Sequence, residues 1–197
     1  MRFAAAAVAA LCALAYPAMG EPVAYDAVIA IERTASETPQ ASDGSSGDES
    51  PALAAFKGVE SFPIREDFRV EARFEPYDPP KPIPIANIVG IVEDQPSPGA
   101  VVFTHGGKTW RLDALEGSDG ELFLLFADAT SGEETYGAGR FLDTKKPSNG
   151  KVVVDFNLAY NPPCVFTPYA TCPLPPRQNR LAMRVEAGEK NYHGGGH

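Results

Sequence analysis

Proline and glycine interrupt this chain so often that a helical bundle is the wrong place to start. Nineteen prolines and eighteen glycines are spread over 197 residues. Each proline fixes φ and removes an amide donor, and each glycine weakens an element interior. Short strands joined by turns suit such a chain better than long helices. The length fits one domain or two small ones. Apolar residues make up 44% of it, enough to bury a core. No internal repeat is visible.

Met1 to Gly20 opens with Arg2, runs apolar from Phe3 to Tyr16 and ends Pro17-Ala18-Met19-Gly20. A basic start, an apolar stretch and small residues at 18 and 20 read as a secretory signal peptide. The run falls short of the roughly 20 apolar residues of a spanning helix; an uncleaved anchor is the competing reading. The expectation is a secreted or periplasmic protein with no stable membrane insertion after cleavage. Cys12, behind Leu11, stands too early for a lipoprotein attachment site. The net charge of −9 and the lack of Lys/Arg runs exclude nucleic acid as a partner class and argue against an anionic membrane surface.

Loss of Cys12 with the leader leaves Cys164 and Cys172. An even count in an exported chain points to a disulfide, which over this short loop stabilises by about 2–3 kcal/mol. A metal pair or a reactive thiol are the alternatives. Seven residues separate the two cysteines and no histidine lies nearby, unlike a zinc knuckle.

Within residues 21–50, Val23 to Ile31 is apolar enough to read equally as a short helix or a strand. Thr34 to Ser50 is rich in Ser, Gly, Asp and Glu and reads as a solvated linker. Seven acids and one base in 21–50 account for most of the chain's acidity. A single β-rich domain is expected over 51–190, followed by a flexible tail at 191–197. Arg69 to Glu75 alternates, with Val70, Ala72 and Phe74 on one face. Ala100–His105 and Lys108–Leu115 flank Gly106-Gly107 as a hairpin. Glu121 to Asp128 is apolar on both faces, as a central strand would be. Thr135–Asp143, Lys151–Leu158, Arg180–Ala187 and Ile83–Val92 complete the expected strands. The fold class is therefore all-β and mainly antiparallel, a sandwich or part-closed barrel, with room for a short N-terminal helix.

Two stretches carry a signature: Phe126-A-D-A-T-S-G-E-E-T-Y-G-A-G-R-F-Leu142 and Asp155-F-N-L-A-Y-N-P-P-C-V-F-T-P-Y-A-T-C-P-L-P-P-R-Q-N-R-Leu181. With Ala187-G-E-Lys190, they resemble a bacterial and archaeal family known as domain of unknown function sixteen eighty-four. The upstream Phe56-K-G-V-E-S-F-P-I and Phe68-R-V-E-A-R-F-E-P fit it too. The resemblance covers roughly Pro51 to Lys190 and implies no established activity.

A hairpin centred near Ser131-Gly132 would set Phe126 opposite Gly137 and Leu124 opposite Gly139. That leaves either a bare strip for a ligand or a glycine pair covered by Phe126. A second hairpin near Pro147 would set Gly139 opposite Asp155 and Gly137 opposite Asn157; a one-residue slip would instead bring Arg140 over Asp155. Six prolines between Pro162 and Pro176 make a rigid loop with polar tips, either a recognition surface or an end cap. Ligand-binding candidates are Asp128, Thr130, Tyr136, Arg140, Asp155, Asn157 and Asn161. Nucleotide, metallopeptidase and serine-hydrolase motifs are absent. His105 sits beside a turn, His193 and His197 lie in the tail, and Glu133-Glu134 reads as a solvated pair. No metal and no cofactor is expected. The favoured role is a module binding a small molecule or an envelope protein. The alternative is a metal-independent hydrolase or lyase using Asp128 and Asp155, with Tyr136 or Arg140 stabilising charge.

Overall fold

The computed structural model describes Tyr25, Ile29, Ala30, Arg33, residues 58–167 and residues 169–193. The expected leader, the Thr34–Ser50 linker, His197 and the end of the tail lie outside these residues. Six strands form one antiparallel sheet: β1 (Arg69–Ala86), β2 (Val92–His105), β3 (Lys108–Glu116), β4 (Leu122–Phe126), β5 (Arg140–Thr144) and β6 (Lys151–Asp155). Their order is β5-β4-β3-β2-β1-β6. The sheet curls into a half-barrel, so the all-β class holds and the part-closed barrel replaces the sandwich.

Local chemistry explains the best-formed elements. His105 faces Lys108 across Gly106-Gly107, and both glycines take positive φ, 59° and 73°, as a two-residue turn with the twist of a hairpin requires. Leu122, Leu124 and Phe126 of β4 enter the core inside the curl with Val101, Phe103, Leu112, Val154 and Phe156. Leu125 and Phe123 point the other way, into a second cluster with Ile83, Ile85, Phe141, Cys164 and Cys172. Both faces of β4 are thus covered, which is why its sequence does not alternate.

β1 is far longer than Arg69–Glu75. Its first part pairs with β6 over Arg69–Arg73, and its last part, Lys81–Ala86, pairs among the named strands only with β2. Pro82 and Pro84 are confined to this arm, where a missing amide breaks no ladder to a third strand. Ile83–Val92, expected as a strand of its own, is instead the end of β1, the turn from Asn87 to Ile91 and the first residue of β2.

Three other expectations are corrected. Phe126 faces Arg140, and Leu124 faces Leu142, not Gly137 and Gly139. The strand begins only at Arg140 because residues 128–139 are wound into turns: the carbonyl of Thr130 accepts from the amides of Glu133, Glu134 and Thr135. Gly139, at φ +101°, lies so close to Phe126 that a Cβ would stand 2.5 Å from its carbonyl oxygen. Gly139 thus marks a close crossing of backbones rather than a bare strip, while Gly137 meets only the backbone of Gly132. β6 pairs with β1 and not with β5, so the hairpin near Pro147 does not form. Arg180–Ala187 makes one parallel bridge, Ala127 to Arg180, and is otherwise irregular.

β6 also ends earlier than Leu158. The Asp155 carboxylate accepts from the amide of Asn157 at 3.1 Å and turns the chain into one 3-10 turn over Phe156–Leu158. That turn carries Tyr160 to the free edge of β5, where it exchanges two backbone hydrogen bonds with Phe141, both 2.9 Å. The half-barrel is closed at this point and gapes along the rest of the seam between β5 and β6.

Candidate functional site

Six of the seven candidate residues fall into three separate clusters, and Asn161 stands apart from them. The first is sealed. Arg140 has no solvent exposure; its guanidinium donates to the carbonyls of Val185 at 2.9 Å, Glu189 at 3.1 Å and Ala187. It also contacts the Asp128 carboxylate at 3.4 Å and lies over the Phe126 ring. Burial lowers the Arg140 pKa, and Asp128 opposes that shift. Asp128 further accepts from the Val185 amide at 2.7 Å and the Thr130 hydroxyl at 2.8 Å, and Thr130 meets Thr135 at 2.9 Å. Fully buried and tied to three carbonyls and to Asp128, Arg140 braces β5 against the C-terminal segment.

The second cluster surrounds the cysteines. Tyr136 packs against the apolar cluster that holds Cys164 and Cys172, and its pKa is raised by burial and then by Cys164. Cys164 and Cys172 are both buried free thiols in this structure, and the Cys164 amide donates to Cys172 Sγ at 3.1 Å. Burial pushes the Cys172 thiol up to about 11. Asn161 holds the C-terminal segment instead, its amide donating to the Glu189 carboxylate at 2.6 Å and its side chain to the Lys190 carbonyl at 2.8 Å.

The third cluster faces a cleft. Asp155 and Asn157 stand together where the chain leaves β6, and the Asn157 amide group donates to Asp155 Oδ1 at 2.9 Å and to the Arg65 carbonyl at 2.8 Å. Its Oδ1 accepts from the Arg65 amide at 2.9 Å. Arg69 of β1 lies 3.7 Å from the Asp155 carboxylate. Tyr25 completes the group: its hydroxyl donates to Asp155 Oδ2 at 2.6 Å and accepts from Asn157 Nδ2 at 3.1 Å. Burial and the Asp155 carboxylate raise the Tyr25 pKa, so the phenol stays a donor.

The cleft itself is the open seam, about 790 Å³ in volume. Val152, Val153, Leu158 and Ala159 give it apolar wall, Asp155 and Asn157 lie at one part of it, and Lys145, Lys146 and Lys151 lie along its rim. Glu121 and Glu71 pair with Lys145 and Lys151 at 3.5 and 2.6 Å. Tyr160, donating to Asp143 at 2.7 Å, is a further wall residue. Asp128, Thr130, Tyr136, Arg140 and Asn161 do not line it.

Sequence reasoning missed Tyr25 and Arg33, although a signal was present. Tyr25, Ile29 and Arg33 are each helical in the structure, and a spacing of four in sequence is that of residues sharing a helix face. His105, left open as a turn residue, stacks on Phe68 at 4.5 Å and bonds the Asp67 carbonyl at 3.0 Å. Among the described residues no group of three or more His, Cys, Asp and Glu side chains is placed to hold a metal.

The comparisons place the domain without assigning it work. A family model described as protein of unknown function (DUF1684) matches residues 54–190. Among solved structures, the chain is similar to the solution NMR structure of the uncharacterized protein from gene locus rrnAC0354 of Haloarcula marismortui. The two are 30% identical with a TM-score of 0.58, over 72% of this chain and 80% of the other. No curated protein matches the chain.

Proposed function

We propose, for a chain that belongs to the DUF1684 family of proteins of unknown function, the role of an exported binding module whose ligand enters the seam between β5 and β6. The observation that carries this reading is the cleft of about 790 Å³ with Asp155 and Asn157 beside apolar wall. A volume of that order suits a small molecule, and few polar groups on apolar wall set orientation rather than bulk affinity. A small molecule or a projecting group of an envelope partner fits such a seam. Acid–base chemistry between Asp128 and Asp155 gains no support. Asp128 is engaged by Thr130, Arg140 and Val185, Asp155 by Tyr25, Arg69 and Asn157, and among the described residues the two share no partner.

A thermal-shift screen of metabolites and single-chain amphiphiles against the full chain tests this. At least one compound should raise Tm by several degrees. Asp155→Asn, which keeps an oxygen to cap the turn at Asn157, should weaken that compound at least tenfold with little change in the protein's own Tm. A screen with no stabilising compound, or one whose compound ignores Asp155→Asn, overturns the assignment.

Export and a Cys164–Cys172 disulfide belong to the same proposal. The Cys164 amide donates to Cys172 Sγ, so the two free cysteines are neighbours, and export would place them in a compartment where such neighbours are oxidised. Intact mass of protein from its native host should show a chain starting at or near Glu21 and lacking two thiol hydrogens. A retained Met1 refutes export. Two thiols that alkylate once the exported protein is unfolded refute the bond.

A further inference from the structure

At Gly99 the sheet splits. β2 pairs with β3 from Gly99 to His105, while β3 turns to β4 at Leu115 and Glu116. Residues 92–98 of β2 keep one neighbour among the named strands, the Lys81–Ala86 end of β1. The turn between the two strands sets which way their backbone groups point. The Asn87 amide donates to the Ile91 carbonyl at 2.9 Å, so 87 and 91 are a hydrogen-bonded pair. Two residues on, Ile85 bonds Glu93, and Ile83 bonds Gln95 in turn. Pro82, Pro84 and Ala86 face outward, and the Ala86 carbonyl accepts from the Leu174 amide at 2.7 Å. By the same alternation Val92, Asp94 and Pro96 turn two amides and three carbonyls away from β1. Among the described residues these groups have no partner.

The split opens a groove of about 480 Å³. Ile85, Ile91, Leu115, Phe123 and Pro173 give it apolar wall, Glu93 lines it from β2 and Glu116 from β3. It shares no lining residue with the seam between β5 and β6. The turn from β1 and the first residue of β2 hold four of the seven exposed large apolar residues among those described. These are Ile88, Val89, Ile91 and Val92, between 41% and 65% exposed. Glu93, Asp94 and Glu116 have no ion pair among the described residues. The one cation of the arm, Lys81, lies over the Tyr77 ring.

We propose that the β2 edge from Val92 to Pro96 is a docking site for an extended segment of a partner protein, in which apolar and basic residues alternate and which adds to the sheet as a strand. Such strand addition takes its affinity from main-chain hydrogen bonds and its selectivity from alternate side chains. Here the outward amides of Val92 and Asp94 and the carbonyls of Val92, Asp94 and Pro96 supply the ladder. Apolar side chains of the added strand lie on Leu115 and Phe123 in the groove. Glu93 borders that groove while Asp94, one residue on, points to the opposite face. A cation on either face of the added strand thus meets a carboxylate. Edges that are only guarded against aggregation carry prolines and charges, as this one does, but do not set four exposed aliphatic side chains beside them. A second copy paired antiparallel about Glu93 or Asp94 would set acid opposite acid, which destabilises a ladder.

The probe is a short fluorescein-labelled peptide of alternating valine and lysine, tested against the full chain by anisotropy. One control alternates valine with glutamate, and a second carries the same valines and lysines in two blocks. The alternating basic peptide should bind at least tenfold more tightly than either control. In its complex the Val92 and Asp94 amides should exchange with solvent at least tenfold more slowly by NMR, while those of Glu93 and Gln95, already bonded to β1, change little. Asp94→Pro removes an outward amide and no bond to β1. It should weaken the peptide at least tenfold and lower Tm by no more than a few degrees. Asp94→Asn loses the charge but keeps the amide, so it should weaken the peptide less than Asp94→Pro does. No binding up to about 1 mM peptide, a block peptide that binds as well as the alternating one, or unchanged exchange at Val92 and Asp94 overturns the proposal. So does a parent dimer in sedimentation velocity that Asp94→Pro dissolves, because the edge then belongs to a second copy. If Asp94→Pro loses its cooperative fold, exchange of the two amides in the parent decides alone.

Discussion

Replacing Arg140 with leucine is expected to remove about 3–5 kcal/mol of stability, the loss usual when one partner of a buried ion pair is deleted. For a domain of this size that lowers Tm by roughly 10–15 °C. The guanidinium is fully buried and ties β5 to a segment with no strand ladder of its own, through the carbonyls of Val185, Ala187 and Glu189. Leucine fills much of the volume but leaves three acceptors and the Asp128 carboxylate without their donor. Arg140→Lys keeps the charge yet cannot reach three directions from one nitrogen, so it should lose less than leucine and more than half as much. Urea titrations of the two variants check the order. A loss under 1 kcal/mol in Arg140→Leu would show that the C-terminal segment is held by its apolar contacts, Leu181, Val185 and Ala187, alone.

The same cluster shows where the sequence could and could not be read. Alternation and paired glycines made the β2–β3 hairpin legible, because both signals are local and nothing competes with them. The unbroken apolar run of β4 was legible for the same reason: each face has its own core. Between Asp128 and Gly139 the sequence suggests one tight hairpin turn at Ser131-Gly132 with strand resuming at Thr135, whereas the chain is wound into turns until Arg140. The Asp and Thr side chains there bond each other and the nearby backbone, and that competition does not appear in an apolar pattern. The β5–β6 pairing failed differently. A short connection suggested neighbours, while β6 found its partner in Arg69–Arg73, far back in the chain. Polar residues chosen as one site are buried in separate places, since sequence shows that a buried Asp or Asn needs a partner but not which one. Tyr25 was the hardest to see. Its partner Asp155 lies 130 positions away, and only the four-residue spacing to Ile29 and Arg33 marked it.

Asn179→Ala should be nearly as damaging as the loss of Arg140, for a reason set in the backbone. β3 and β4 pair at only two positions, Leu115 with Phe123 and Glu116 with Leu122. Above these the strands part, and the side chain of Asn179 enters the gap. Its Oδ1 accepts from the Asp113 amide at 2.8 Å, and its Nδ2 donates to the carbonyls of Asp113 and Leu125, both at 2.8 Å. The carboxamide stands in for the missing peptide of a strand. Pro175-Pro176 and one 3-10 turn over Arg177–Asn179 bring it there, which gives the rigid proline loop a structural task. Alanine strands one donor and two acceptors in a site that is 1% exposed, at about 1–3 kcal/mol for each group left wholly unpaired. With partial relaxation the expected loss is about 3–4 kcal/mol. Asn179→Asp supplies a sharper test. Its carboxylate can still accept from the Asp113 amide but faces two carbonyl oxygens, so the folded state favours the protonated acid and its pKa rises above the unfolded value. Stability relative to the parent should then be greatest below about pH 4, the ordinary carboxyl value, and fall as pH climbs through the raised folded value. Urea titrations at pH 4 and pH 7 read this directly. An Asn179→Ala loss below 1 kcal/mol, or an Asn179→Asp deficit no smaller at pH 4 than at pH 7, would mean that water replaces the carboxamide in the gap between β3 and β4.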